Sequence, residues 1–401
     1  MTRREWMLGA AAATAACRRE GRVEIDEYGV LFDRQAEGFP ASAASAVRVN
    51  GKLWMSFMRA SDAAAGLLPS SAESPDWGRT WTDPQPLGRE LPEDMWRDAS
   101  GQFLGLAPFG PTARGTLITV GFHTRKPVRD GSYREDVRWR PGSCLIGRRE
   151  KGEERFDYTV HPSGTFLGEQ FAAPGVVMRT GRLVLQVWGA AAQGENWQCG
   201  VLLSDNDGKL WRYRQVGPPA PVEMRDDPDM PVGFNEQTLH HAPDGRLVSI
   251  IRARAKLGRL EQSPRDTWFY RSESRDGGET WSRPQPTNLA GTGAPSSGIY
   301  LPDGSLLMAA RIPYARDLYR LEDPEAYGLH IARSMDAGLT WQTVRMIQQD
   351  PGGRPFNNYY NAMNGVFVRT GGAEWRYVFG EFRHQENIHR VLSLRLRFVT
   401  G

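Results

Sequence analysis

SPDWGRTW (Ser74–Trp81), SDNDGKLW (Ser204–Trp211), SRDGGETW (Ser274–Trp281) and SMDAGLTW (Ser334–Trp341) are four copies of one octapeptide, S-x-D-x-G-x-T-W. The second copy departs from it at Asn206 and Leu210. The residue types suit a tight turn between two strands. An Asp side chain accepts hydrogen bonds from backbone N–H groups, Gly supplies a positive φ, and Trp leaves the turn to fill a gap between neighbouring sheets. Four such turns in register imply a repeated, all-β architecture.

A second repeat sets the number of units. Apolar hairpins turn at Asn50-Gly51, Arg114-Gly115, Thr180-Gly181, Asp244-Gly245, Asp303-Gly304 and Thr370-Gly371, with glycines 64, 66, 64, 59 and 67 residues apart. That period is one four-stranded propeller blade. Runs such as RLVLQVW (Arg182–Trp188) and SLLMAAR (Ser305–Arg311) are too short for helices and too apolar for exposed strands, and so read as inner strands buried on both faces. The second repeat has no clear octapeptide, although RREKGEERF (Arg148–Phe156) occupies its place. The sixth repeat has no room for one, so its outer strand must come from elsewhere. RVEIDEYGVLF (Arg22–Phe32) is the unassigned strand-like segment. The expected fold is a six-bladed β-propeller over residues 21–401, closed by the N-terminal strand.

The composition agrees with that fold and narrows the function. A chain of 401 residues is long for a single core, but a propeller accommodates it, because each blade buries its faces only against its neighbours. A formal net charge of +3 is small for this length and argues against a nucleic-acid footprint or a membrane-surface patch. Thirteen Trp match the octapeptide tryptophans plus a mouth lined with aromatics. Lys occurs only at 52, 126, 151, 209 and 256, which leaves 50 − 5 = 45 Arg. An isolated arginine match therefore carries little weight.

The N-terminus, MTRREWMLGAAAATAAC, has the pattern of a leader: Arg3-Arg4 precede a short Ala-rich stretch ending in small residues. The twin arginine followed by Trp6-Met7 resembles a Tat export signal over residues 1–20. Thr14-Ala15-Ala16-Cys17 resembles a lipoprotein cleavage box, with Thr14 where a bulky aliphatic residue is usual. The expectation is export to the periplasm or beyond, with a lipid anchor at Cys17 as a variant of it. No transmembrane span is expected. Cys144 and Cys199 imply no particular disulfide. No His/Cys/Asp cluster has metal-ligand spacing, and His240-His241 on an inner strand suits hydrogen bonding better than zinc. No metal or cofactor is expected.

Topology indicates which end of the propeller to search. Inner strands run down to the hairpin turns and the next strands return, so residues equally far before and after a turn meet at one end. Glu236 is eight residues before Asp244 and Arg252 eight after it, so both fall at this mouth. The octapeptides follow a third strand and fall at the opposite end.

The octapeptides resemble the Asp-box, or bacterial neuraminidase, repeat, and NEQTLHHAPDGRLVSIIR (Asn235–Arg252) resembles the blade-four segment of exo-sialidases. The resemblance implies that Glu236 polarises a tyrosine nucleophile and that Arg252 helps grip the substrate carboxylate. WMSFMRASD (Trp54–Asp62) resembles the family's Arg followed by its acid/base Asp, which implies Arg59 for substrate binding and Asp62 for acid/base work. In LPDGSLLMAARIPYAR (Leu301–Arg316), Arg316 fits the family's third carboxylate-binding Arg better than Arg311. FNNYYNAMNGVFV (Phe356–Val368) resembles the nucleophile segment, with Tyr360 preferred to Tyr359, and Glu381 resembles a Glu that supports the Arg cluster. One departure stands out. Gly38-Phe39-Pro40 occupies the place of the family's Arg-Ile-Pro, so Arg34 or another mouth arginine substitutes, or the carboxylate is bound differently, or the substrate is not a sialic acid.

The expected activity is thus an exo-α-sialidase-like glycoside hydrolase acting on sialylated glycans. Arginine forks suit a sugar carboxylate, and a neutral tyrosine nucleophile avoids the repulsion that a second carboxylate would meet. Two other readings remain open. One is a propeller exo-glycosidase for a neutral or uronic sugar, using Asp62, Glu236 and Glu381 as its carboxylates. The other is a non-catalytic glycan-binding propeller in which Glu236 and Arg252 form only a structural ion pair.

Overall fold

A computed structural model describes residues 21–58, 69–87, 101–125, 141–170, 174–190, 197–218, 233–254, 268–290, 294–313, 327–356, 362, 365–383 and 386–400. Apart from one 3-10 turn (Gln35–Glu37), the regular structure in these residues is β. The chain enters on β1 (Gly21–Phe32). The first blade follows as β2 (Ser42–Val49), β3 (Lys52–Met58), β4 (Ser70–Ser74) and β5 (Gln85–Pro86). The second is β6 (Gly101–Phe109), β7 (Leu117–Arg125), β8 (Pro141–Arg149) and β9 (Asp157–Gln170). The third is β10 (Val176–Val177), β11 (Leu183–Ala190), β12 (Gln198–Ser204) and β13 (Arg212–Gln215). The fourth is β14 (Gly233–His241), β15 (Leu247–Arg254), β16 (Trp268–Ser274) and β17 (Gln285–Ala290). The fifth is β18 (Gly298–Tyr300), β19 (Leu306–Pro313), β20 (Tyr327–Ser334) and β21 (Gln342–Ile347). The sixth has β22 (Gly365–Gly371), β23 (Glu374–Arg383) and β24 (Ile388–Thr400), with β1 as its outer strand.

The closure matches the expectation from sequence. β1 pairs antiparallel with β24 from Gly21 opposite Thr400 to Phe32 opposite Val391. The hydrophobic core is divided in the way a propeller requires, with a separate buried cluster at each of six seams. Leu53, Met55 and Phe57 of the first blade meet Val366, Val368 and Val378 of the sixth. Trp54 meets Leu117 and Leu145 of the second blade, and Ile118 and Val120 meet Leu183 and Leu185 of the third. Val201 and Leu203 pack on Leu247 and Ile251 of the fourth, Val248 and Ile250 on Leu306 and Met308 of the fifth, and Leu307 and Leu329 on Tyr377 and Leu392 of the sixth. Each blade therefore buries both faces, as the apolar strand runs suggested.

The turns follow their residues. Asn50 and Gly51 have φ of 49° and 82°, the type I′ geometry that matches strand twist. The sixth turn lies two residues later than the sequence spacing suggests, at Gly372-Ala373, with Gly371 paired to Glu374. In the Asp boxes the carboxylate closes the turn from inside. Asp276 Oδ1 accepts from the Ser274 hydroxyl at 2.8 Å and the Thr280 N–H at 2.9 Å, while Oδ2 accepts from the Thr280 hydroxyl at 2.5 Å. The degenerate copy keeps two of these three bonds, because Asn206 Oδ1 still accepts from the Ser204 hydroxyl and the Leu210 N–H. One feature was not anticipated: β9 outruns its own blade and pairs its far end with β11, which joins the second and third blades into one sheet.

Candidate active site at the propeller mouth

The fourth blade presents Glu236 through a break in its ladder. Asn235 pairs with Arg252 and Thr238 with Ile250, so Glu236 and Gln237 together face a single residue, Ile251. This β-bulge holds Glu236 at φ 40°, a sparsely populated conformation for a residue with a side chain. Its neighbours Asn235 and Gln237 are buried, whereas the Glu236 side chain is 27 % exposed. The bulge turns the carboxylate outward, where it accepts a hydrogen bond from Arg252, itself 23 % exposed.

Gln237, which the sequence reading passed over, locks this geometry. Its Nε2 donates to the Val187 and Gly200 carbonyls of the third blade at 3.1 and 2.6 Å, and its Oε1 accepts from Ser249 at 2.7 Å. The sequence signal was available: a glutamine in an otherwise buried strand has to spend its amide on backbone groups. Beside it, Trp188 and Trp197 lie 4.8 Å apart between ring centres. The Trp197 carbonyl accepts from Phe234 N–H at 3.0 Å, which ties this aromatic pair to the strand that carries Glu236. Cys199, opposite Trp188, is a buried free thiol whose pKa is pushed up by burial and by the nearby Glu236 charge.

Arg311 occupies the same place in the fifth blade that Arg252 has in the fourth, seven residues past the hairpin glycine (311 − 304 and 252 − 245). At 9 % exposure it lies below the mouth surface rather than on its wall. Its charge acts on Tyr377, whose hydroxyl pKa is nonetheless raised to about 12 by burial.

Glu381 is fully buried and does gather arginines, though both come from its own blade. It accepts from Arg383 Nε at 2.5 Å and from Arg390 Nε at 2.7 Å. Arg390 also reaches Asp350 at 2.9 Å, a fully buried carboxylate in the loop between the fifth and sixth blades. Arg383 donates to the Arg354 and Pro355 carbonyls at 3.2 and 3.1 Å. This four-residue network fixes the chain up to Phe356, three residues before Tyr359. Asp350, Arg383 and Arg390 were not singled out from the sequence. The one available hint was the pair of arginines flanking Glu381 across a hairpin.

Arg34 is the candidate to stand in for the missing first-blade arginine. Its guanidinium is committed to Glu37 and, at 3.3 Å, to Asp83. Gly38 caps the 3-10 turn at φ 85°, so this position is used for its backbone. Arg59, Asp62, Arg316, Tyr359 and Tyr360 lie outside the described residues, as does Cys17. No helix among the described residues is long and apolar enough to cross a membrane.

Solved structures of the same shape span nearly the whole chain. A protein of unknown function from Dyadobacter fermentans superposes with a TM-score of 0.66 at 17 % identity, covering 94 % of this chain and 99 % of that one. The NanB sialidase from Streptococcus pneumoniae gives 0.60 at 12 % identity, covering 93 % and 70 %. The Trypanosoma rangeli sialidase gives 0.56 at 13 %, covering 93 % and 59 %. At such identities the likeness is one of fold. Among curated proteins none matches the sequence. The BNR repeat-like domain family matches residues 161–377, which include three of the four octapeptides and the segment of Glu236 and Arg252. With more than half of its length matched, the chain belongs to the BNR repeat-like domain family.

Proposed function

We propose that this protein is an exported exo-glycosidase of the sialidase type, which releases terminal sialic acid from glycoconjugates. The observation that carries the reading is Glu236, strained on a bulge and ion-paired to Arg252 at the mouth end of the fourth blade. Backbone strain of this kind persists where the surrounding structure enforces it, and it concentrates at functional sites. A substrate carboxylate competes with Glu236 for Arg252. As the guanidinium turns to the incoming carboxylate, Glu236 is released to act as a base. Tyr360 then attacks the anomeric carbon and passes its phenolic proton to Glu236, while Asp62 protonates the departing glycosidic oxygen. In the second step the Asp62 carboxylate takes a proton from water, the water attacks the anomeric carbon, and Tyr360 leaves and recovers its proton from Glu236. Configuration is retained over the two displacements. Arg59 and Arg316 complete the carboxylate grip, and Arg311 supports it from below. The Glu381 network holds the segment leading to Tyr359 and Tyr360.

One observation favours the alternative, a propeller glycosidase for a neutral or uronic sugar. Gly38 stands where an arginine is expected, and Arg34 is engaged elsewhere. Fewer guanidinium contacts weaken carboxylate binding before they abolish chemistry. Release of the aglycone from an aryl sialoside, compared with aryl glucuronide and aryl galactoside, separates the two readings. The sialidase reading expects turnover of the sialoside with a high KM. Hydrolysis of only the other two substrates overturns it. No turnover of any of them, with glycan binding retained in Glu236→Gln, leaves a binding module.

A further inference from the structure

On the face opposite the mouth, four of the six seams carry the same stitch among the described residues. In three blades an arginine of the preceding blade grips the backbone carbonyl at the fourth position of the Asp box. Arg148 Nε donates to the Asp207 carbonyl at 2.8 Å, Arg182 to Gly277 at 3.0 Å, and Arg271 Nε to Ala337 at 2.7 Å. Between the fifth and sixth blades, Arg333 reaches the Gly21 carbonyl at 2.7 Å in the same role. At the closing seam, no side chain among the described residues reaches the corresponding carbonyl of Trp77. A cleft of about 390 Å³ opens there instead, between the sixth hairpin turn and the first Asp box. That volume falls in the range of small-molecule sites.

The same position is unusual in its side chain. All four boxes place their fourth residue in the left-handed region, at φ 61° for Trp77, 63° for Asp207, 73° for Gly277 and 57° for Ala337. Gly and Asp suit that conformation, Ala bears a modest cost in it, and a bulky aromatic is an outlier. The first box nonetheless puts an indole there, partly exposed, with the Arg48 guanidinium 5.4 Å from its ring centre. Most charges around the cleft are already engaged. Glu27 is held by Arg376, Arg395 by Asp26, and both Asp76 oxygens by the box itself. Arg79 and Glu374 also line it. The Arg79 backbone N–H is used by Asp76 and the Glu374 charge acts on Arg395, but neither side chain has a hydrogen bond or ion pair among the described residues.

We infer that this cleft is a second carbohydrate site, separate from the mouth, that takes a neutral pyranose residue. The part of the indole left uncovered by Arg48 and by the seam cluster offers apolar surface for the sugar's C–H groups. A carboxylate accepts from two hydroxyls and a guanidinium donates to others. Arg79 and Glu374 bring one charge of each sign and the other charges around the cleft are paired, which favours a ligand without net charge. Such a site would hold a glycan on the box face while the mouth processes a chain end.

The test is saturation-transfer NMR on the full chain with the methyl glycosides of glucose, galactose, mannose, N-acetylglucosamine and fucose. At least one should show transfer and saturable binding. Trp77→Ala should weaken it about tenfold or more, a loss of about 1.4 kcal/mol. Alanine is a sound replacement, since Ala337 already occupies that position in another box. Arg79→Ala and Glu374→Gln, at less-packed positions, should each weaken binding several-fold even if the Trp77 variant misfolds. Glu236→Gln should leave it unchanged. The inference is overturned if none of these glycosides binds. It also fails if the Trp77, Arg79 and Glu374 variants bind as the parent does, or if the loss follows Glu236→Gln instead.

Discussion

Arg252 donates to Glu236 across a bulge that keeps Glu236 at φ 40°, so a single pair combines backbone strain with an ion pair at the mouth. Glycine adopts that φ without penalty, so Glu236→Gly should relieve about 1 kcal/mol of strain while losing a partly exposed ion pair of similar size. Thermal stability should change little, while turnover should fall by about 10²-fold or more. Melting curves and rates on the same preparations check this. A large loss of stability would mean that the pair serves the fold.

Glu381 is the opposite case, a buried charge whose removal strands others. Glu381→Gln leaves Arg383 and Arg390 short of a counter-charge inside the protein and should cost about 3–5 kcal/mol. Urea denaturation measures it. Asp350→Asn should act in the same direction, since both carboxylates serve Arg390.

The Asp boxes should make the fold acid-labile in a defined window. The Thr280 hydroxyl and N–H outweigh burial and hold Asp276 at about 2, against an ordinary value of 3.8. The Thr80 N–H and hydroxyl lower Asp76 likewise to about 2. A depressed carboxylate stabilises the fold above its unfolded pKa, and that contribution disappears as pH falls through the folded one. The melting temperature should therefore drop between about pH 4 and pH 2. Asp276→Asn should flatten that limb without unfolding the protein, as Asn206 already fills this place in the second box. Activity per folded molecule should be unaffected.

Removing β1 should undo the ring. Its loss leaves β24 as a long unpaired edge and takes Leu31 and Phe32 from the seam between the sixth and first blades. It also removes the Leu31 carbonyl that accepts from Trp81 Nε1 at 3.0 Å. The chain lacking residues 21–32 should aggregate or unfold without a cooperative transition, as seen by light scattering and calorimetry. A soluble fragment with the parent's melting temperature would contradict this account of closure.

Much of the architecture was legible because it is written locally and repeatedly. Each Asp box carries its own Ser, Asp (Asn in the second) and Gly, and each hairpin its own turn glycine, so spacing alone counted the blades and pointed to β1 as the missing strand. The candidate site was legible only in part. Glu236 and Arg252 were found because they flank a single hairpin at equal distances. The bulge between them was not, since it is a property of register and leaves no mark in the residues. Gln237 acts through the third blade, and Asp350 meets Arg390 across 40 residues and two blades (390 − 350), so no local spacing announces either contact.

The central claim is that a tyrosine, served by Glu236, attacks the anomeric carbon of a sialic acid. It is tested most directly by mass mapping after incubation with a fluorinated sialosyl fluoride, whose good leaving group and slowed second step trap the glycosyl-enzyme. The account predicts one sialyl adduct, on the peptide carrying Tyr359 and Tyr360, lost in Tyr360→Phe and formed much more slowly in Glu236→Gln. An adduct on Asp62 or Glu236, or none under conditions where an aryl glucuronide or galactoside is hydrolysed, would contradict it.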